Sequence, residues 1–202
     1  MEIKRIIKTI IKTIITYFYN WPYILKFKNF GRNSFIGKRT IINLAGQGIF
    51  IGNNVRFGND LRLSCYSSTS AQVPYIEIQD SVYAGNHISI LTADTVVIEN
   101  NVLLASYINI IGENHSINPE SAEHYGKQPL QASSIIIKEG AWIGQSVSIL
   151  SGKSGIIIGK KSIIGTGSVV TKSIPDYSIA VGNPAKVIKT YNFDKHVWEN
   201  LS

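Results

Sequence analysis

The chain predicts an all-β solenoid: a prism-shaped parallel β-helix over residues 33–175, entered through an amphipathic helix and closed by a short tail at 176–202. Three observations point there. Aliphatic residues recur every six positions, as at Ile137 and Ile143 or Ile158 and Ile164, and Gly144, Gly159 and Gly165 directly follow three of them. A six-residue period fits neither a helix nor a half-buried alternating strand. It fits one short strand and one corner per hexad, three hexads to a turn, with the aliphatic residue inward. Second, Gly, Asn and Lys punctuate the hexads, where corners ask for positive φ or solvent. Third, 202 residues suffice for one continuous core, and the lone Cys65 excludes an intramolecular disulfide framework.

Residues 1–32 read as a basic leader helix and linker. Ile3, Ile6, Ile7, Ile10, Ile11, Ile14, Ile15 and Phe18 fall at three- and four-residue spacing, with Lys4, Lys8 and Lys12 off that stripe. Lys12 leaves the apolar run too short for a transmembrane span, and no small-residue cleavage site follows. Two readings stay open: a helix lying on the anionic inner leaflet, or one that caps the β-helix or packs on neighbouring subunits.

The formal charge of +7 is uneven. Residues 1–40 hold nine Lys or Arg against Glu2 alone, whereas residues 41–202 hold eleven against twelve acids. The basicity therefore belongs to the leader. With no zinc-finger or RNA-recognition signature beside it, no nucleic-acid partner is expected. A single cysteine suits a reducing, cytoplasmic setting, peripheral on the membrane's cytoplasmic face if the leader docks there.

The hexads begin at Asn33 with Ile36 and continue at Ile51, Phe57 and Leu63. Between Ile51 and Ile78 the chain holds a coil of eighteen plus nine residues, for which SCYSSTSAQVP supplies a polar bulge. Between Ile98 and Ile137 it holds a coil plus twenty-one residues, which predicts a loop leaving the prism at about 112–133. Long loops on rigid frames tend to carry function. The tail is expected to turn back as a strand and a short helix.

His115 sits where the coil gives way to that loop. A neutral imidazole there suits proton removal from a hydroxyl attacking an acyl carbonyl. Glu113, Glu120 and Glu123 are all candidates to orient it. His87 and His124 raise the rival idea of a three-imidazole zinc site, but a nine-residue separation of His115 and His124 within one loop does not suit paired ligands. His196 reads as a surface residue. Lys172, Lys186 and Lys189 cluster after the final coils and suit phosphate as point charges.

AWIGQSVSIL, IIIGKKSIIGTGSVVTKSIP and SIAVGNPAKVIK, in that order behind a His-bearing loop, resemble the C-terminal signature of the hexapeptide-repeat acyltransferases, in the galactoside and maltose O-acetyltransferase branch. The resemblance covers about residues 76–190. The leader resembles instead that of polysaccharide O-acetyltransferases acting in capsule or lipopolysaccharide synthesis. The resemblance implies a left-handed β-helix, a homotrimer with sites in the clefts between subunits, acetyl-CoA as co-substrate, and no metal. VVIENNVLLASYINIIGENH aligns with the family stretch ending in the catalytic His, which falls on His115. The branch's acceptor-binding Asn falls on Gly85, so the acceptor is expected around Tyr83, Gly85, Asn86 and His87. Trp142 falls beside the cofactor and acceptor cleft. Gly144, Thr166 and Gly167 fall along the pantetheine arm, with Thr171, Lys172, Lys186 and Lys189 near the nucleotide end. The expected activity is O-acetylation of a sugar in surface polysaccharide synthesis. The alternatives are N-acetylation of an amino nucleotide sugar and a non-catalytic trimeric scaffold docked on a membrane.

Overall fold

The structure is a computed structural model that describes residues 21–45, 48–67 and 73–201. The helix expected over residues 2–19 lies outside the described residues; residues 21–24 are helical.

Short parallel strands build three sheets. The first contains β1 (Asn29–Phe30), β4 (Gly48–Ile51), β7 (Tyr75–Ile78), β10 (Thr95–Ile98), β14 (Ile135–Ile137) and β17 (Ile156–Ile158). The second stacks β2 (Phe35–Ile36), β5 (Arg56–Phe57), β8 (Tyr83–Ala84), β11 (Leu103–Leu104), β15 (Trp142–Ile143), β18 (Ile163–Ile164) and β20 (Ser178–Gly182). The third stacks β3 (Ile41–Leu44), β6 (Arg62–Cys65), β9 (Ser89–Thr92), β12 (Asn109–His115), β16 (Ser148–Leu150) and β19 (Val169–Val170). Through β12 and again from β14 to β19, consecutive strands visit the three sheets in rotation, and each circuit lies in register on the one before. Parallel pairing reaches from Asn29 to Ala180, beyond residues 33–175 at both ends.

The hexad rule holds on two of the three sides. From the inward residue of the first sheet to that of the second is six positions, as from Ile78 to Ala84 or Ile137 to Ile143, and six more reach the third sheet at Ile90 or Ile149. The return is longer and variable: eight positions from Ile90 to Ile98, nine from Ile149 to Ile158, fifteen from Leu63 to Ile78 and twenty-seven from Ile110 to Ile137. The eighteen-residue coil is thus corrected: Ile98 pairs twenty residues on from Ile78, and Ile158 twenty-one on from Ile137. The extra residues all fall in the wide corner by which the chain returns from the third sheet to the first. Every insertion leaves by that one edge.

The core is the sum of the inward columns. Ile51, Ile78, Ile98, Ile137 and Ile158 stack in the first sheet, and Leu63, Ile90, Ile110, Ile149 and Val170 in the third, all fully buried. Each such side chain contributes about 1.5–3 kcal/mol on leaving water. In the second sheet Phe57 lies beneath Ala84, a large residue beside a small one, which keeps the layer volume even.

Two corners are turned by single left-handed residues. Asn33, Asn54, Ser81, Asn101, Lys161 and Tyr177 turn the first with φ between 52° and 60°, and Arg39, Asp60, His87, Tyr107 and Ser146 the second with φ between 56° and 63°. Side chains tie adjacent corners together. Asn53 N–H donates to Asp80 Oδ1 (2.7 Å), Asp80 N–H to Asn100 Oδ1 (3.0 Å) and Lys160 N–H to Asp176 Oδ1 (2.8 Å). These satisfy backbone donors that a corner would otherwise leave unpaired.

The tail differs from expectation. Residues 183–201 form two antiparallel strands, β21 (Ala185–Asn192) on β20 and β22 (Val197–Asn200) on β21, with no helix. Aromatic edge-to-face contacts decide this: Tyr191 packs on Phe193 (5.0 Å) and Trp198 (5.3 Å), and Phe193 on Tyr177 (4.8 Å). Among the described residues no helix is long and apolar enough to cross a membrane.

Candidate active site

The excursion expected at 112–133 is an antiparallel ribbon. β12 runs past the sheet to His115, and β13 (Leu130–Ala132) returns beside it, pairing His115 with Leu130 and Glu113 with Ala132. A single 3₁₀ turn at Tyr125–Lys127 closes the far end. Gln128 is the clasp. Its side chain is buried; Oε1 accepts from Asn118 N–H (3.0 Å), and Nε2 donates to the carbonyls of Asn118 (3.0 Å) and Glu123 (3.2 Å). One amide thus fixes three points of an otherwise exposed loop.

The backbone of Gln128 also sets the imidazole. Nδ1 of His115 lies 3.3 Å from the Gln128 carbonyl oxygen, and His115 N–H donates to Asn114 Oδ1 (2.9 Å). A carbonyl oxygen only accepts, so this contact places the proton of a neutral ring on Nδ1 and the lone pair on Nε2. His115 is half-buried. None of the candidate carboxylates orients it; Glu120 and Glu123 give backbone N–H groups to local turns at Asn118 and Ser121. The pocket inside the ribbon is lined by Asn118, Ser121, Glu123, His124, Tyr125 and Gln128, and His115 does not line it.

The other expected site residues divide between two edges. Gly85, Asn86 and His87 lie at the corner between the second and third sheets, as do Gly144, Thr166 and Gly167 on later circuits, with Tyr83 and Trp142 on the adjoining outer face. Tyr83, Leu103 and Trp142 are in register and exposed there, about 5 Å apart per strand step. His115 belongs to the opposite edge of the third sheet. The seven residues of β12 span about 20 Å, so the strand holds His115 that far from the shared corner. Thr171 and Lys172 follow β19 on the edge of His115, two strands above it. Lys186 and Lys189 pair with Val181 and Ile179. The expected site residues of one chain therefore lie on two separate edges.

Contacts refine individual residues. Asn86 Oδ1 accepts Asn59 N–H (2.8 Å). His87 stacks on Tyr107 (4.5 Å between centroids) with Nε2 3.6 Å from Asp60 Oδ2. Asp60 is gripped by both Arg39 Nε (2.6 Å) and Nη2 (2.7 Å), and this pairing holds its carboxyl below the usual range. Gly144 is buried, its N–H bonded to the Ile164 carbonyl, whereas Thr166 and Gly167 are exposed and Gly167 takes φ of 72°. Lys172, Lys186 and Lys189 make no ion pair with a described residue. Among the described residues no three His, Cys, Asp or Glu side chains converge as a metal would need.

The chain is 31% identical over 157 residues to the putative lipopolysaccharide biosynthesis O-acetyl transferase WbbJ of Escherichia coli (strain K12), covering 75% of this chain and 76% of that protein. It belongs to the hexapeptide-repeat acyltransferases. This acyltransferase also matches the structure of a galactoside acetyltransferase in complex with coenzyme A, with TM-score 0.53 and 30% identity over 70% of this chain and 68% of that one. AntD, an N-acyltransferase from Bacillus cereus in complex with dTDP and 3-hydroxybutyryl-CoA, shares the fold with TM-score 0.70 at 20% identity, covering 88% and 90% of the two chains. No protein-family model matches the chain.

Proposed function

We propose that this acyltransferase moves acetyl from acetyl-CoA to a sugar hydroxyl in surface-polysaccharide synthesis, as a trimer of left-handed β-helices. The observation that carries the chemistry is the His115 Nδ1 contact with the Gln128 carbonyl, which leaves Nε2 as a base. Nε2 takes the proton of the acceptor hydroxyl as the oxygen attacks the thioester carbonyl; the C–S bond breaks, and the proton passes to the departing thiolate. A backbone N–H in the cleft steadies the developing oxyanion. The separation of the two edges supports a shared site. His115 and Lys172 of one copy face Trp142, Gly144, Thr166 and Gly167 of the next, with Tyr83, Asn86 and His87 toward the acceptor.

The relative named for lipopolysaccharide O-acetylation supports the hydroxyl acceptor. The fold shared with AntD, a variant of which is described in complex with dTDP-4-amino-4,6-dideoxyglucose and coenzyme A, keeps an amino-sugar acceptor as the second reading. Release of free thiol from acetyl-CoA, measured with a panel of polysaccharide fragments, sugars and amino nucleotide sugars, tests both. Turnover with the hydroxyl acceptors is expected; turnover confined to the amino sugars would replace the first reading with the second, and none with any acceptor would remove both.

A further inference from the structure

The end of the stack formed by the first circuit combines two properties, unpaired positive charge and exposed apolar side chains. Between residues 21 and 59 there are six Lys or Arg and no Asp or Glu. Arg39 is paired with Asp60, but Lys26, Lys28, Arg32 and Lys38 are exposed and make no ion pair with a described residue. Among them stand exposed apolar side chains: Leu25 at 73% of its surface, Ile41 at 54%, Trp21 at 47% and Leu44 at 45%. The backbone beneath is fixed. Phe27 is buried and stacks on Phe30 at 5.5 Å, Tyr23 packs on the core, and β1, β2 and β3 are the terminal strands of their sheets.

From this we infer that the first-circuit end is a docking face for an anionic lipid bilayer, with the cations at the headgroups and Trp21, Leu25, Ile41 and Leu44 at the acyl boundary. Charge complementarity chooses the occupant. A second copy stacked end to end would bring four free cations against four, and a nucleic acid has no use for exposed Leu and Ile. The sequence ahead of the face adds Lys4, Arg5, Lys8 and Lys12 against Glu2. The inference does not depend on the acetyl-transfer chemistry.

The test is flotation of the full chain with vesicles of phosphatidylcholine alone and of equal parts phosphatidylcholine and phosphatidylglycerol, across a salt series. The chain is expected to float with the anionic vesicles only, and less as salt rises. At about fivefold in partition per cation, the combined Lys26→Gln, Lys28→Gln, Arg32→Gln and Lys38→Gln variant should bind two to three orders of magnitude more weakly. A Leu25→Ser variant should weaken binding to a smaller degree. Both should keep acetyl transfer to a soluble acceptor, which separates this test from the enzymatic one and reports that they fold. No flotation, equal flotation on both vesicles, an unweakened quadruple variant, or displacement by an equal phosphate concentration of duplex nucleic acid would each overturn the inference.

Discussion

The ring of His115 is held by the carbonyl of Gln128, thirteen residues further along and just ahead of the returning strand of the same ribbon. The ring nitrogen that keeps its lone pair, Nε2, is thereby defined by backbone geometry, and the side chain of Gln128 secures the loop that supplies the carbonyl.

Gln128→Ala keeps that carbonyl but frees Asn118 N–H and the carbonyls of Asn118 and Glu123. Asn118 and Glu123 are exposed, so water can replace the amide and each lost bond costs about 0.5–1.5 kcal/mol locally. Turnover should fall about ten- to a hundredfold through misplacement of His115, with KM for acetyl-CoA nearly unchanged. Gln128→Glu, which cannot donate to the two carbonyls, should not restore it. A proportionate rise in KM for acetyl-CoA would contradict the positioning role.

The corner glycines should respond differently to alanine. A Cβ on Gly144 would lie 2.7 Å from both the Ile164 carbonyl oxygen and the Thr166 nitrogen, so the next circuit must shift. Gly144→Ala should destabilise by about 1–3 kcal/mol and weaken acetyl-CoA binding. At Gly167 nothing lies within 4 Å, and only φ of 72° resists, so Gly167→Ala should cost about 1–2 kcal/mol with no steric displacement. Denaturant midpoints and coenzyme A titration check both.

Cys65 is buried, and burial pushes its thiol from the ordinary 9.0 up to about 11. The folded state therefore holds this proton more tightly than the unfolded state. Its contribution to stability is intact below pH 9 and is lost as pH rises from 9 toward 11. Alkaline unfolding should begin later in Cys65→Ala relative to its own neutral stability, and the native thiol should resist a thiol reagent at pH 8 until the chain unfolds. Rapid native labelling would refute this.

If His115 serves a site completed by the opposite edge of another copy, two inactive chains can repair each other. His115→Ala and Trp142→Ala, refolded together, should regain activity corresponding to about one intact site per mixed trimer. No gain over the separate variants would place both residues in one chain's site.

Much of this arrangement is legible in the sequence, for a local reason. A six-residue step fixes inward Ile, Leu and Val on two sides of each circuit, and no partner is needed to read Ile137, Ile143 and Ile149 as one series. The third side obeys no such rule, because a corner open to solvent tolerates any length. Only the register of Ile98 with Ile137 shows where the chain re-enters. The ribbon that carries His115 is visible as an insertion, but its orienting partner is not. A backbone carbonyl has no letter in the sequence, and the nearby glutamates are the more conspicuous candidates. The second strand of the tail is not legible because DKHVWEN carries no strand alternation; the contacts of Tyr191 with Phe193 and Trp198 accompany its form.

The most direct measurement is acetyl transfer by His115→Ala alongside its affinity for acetyl-CoA. Turnover should drop by about two to four orders of magnitude while acetyl-CoA binds as in the unaltered chain. Undiminished turnover in that variant would contradict the central claim that Nε2 of His115 is the base.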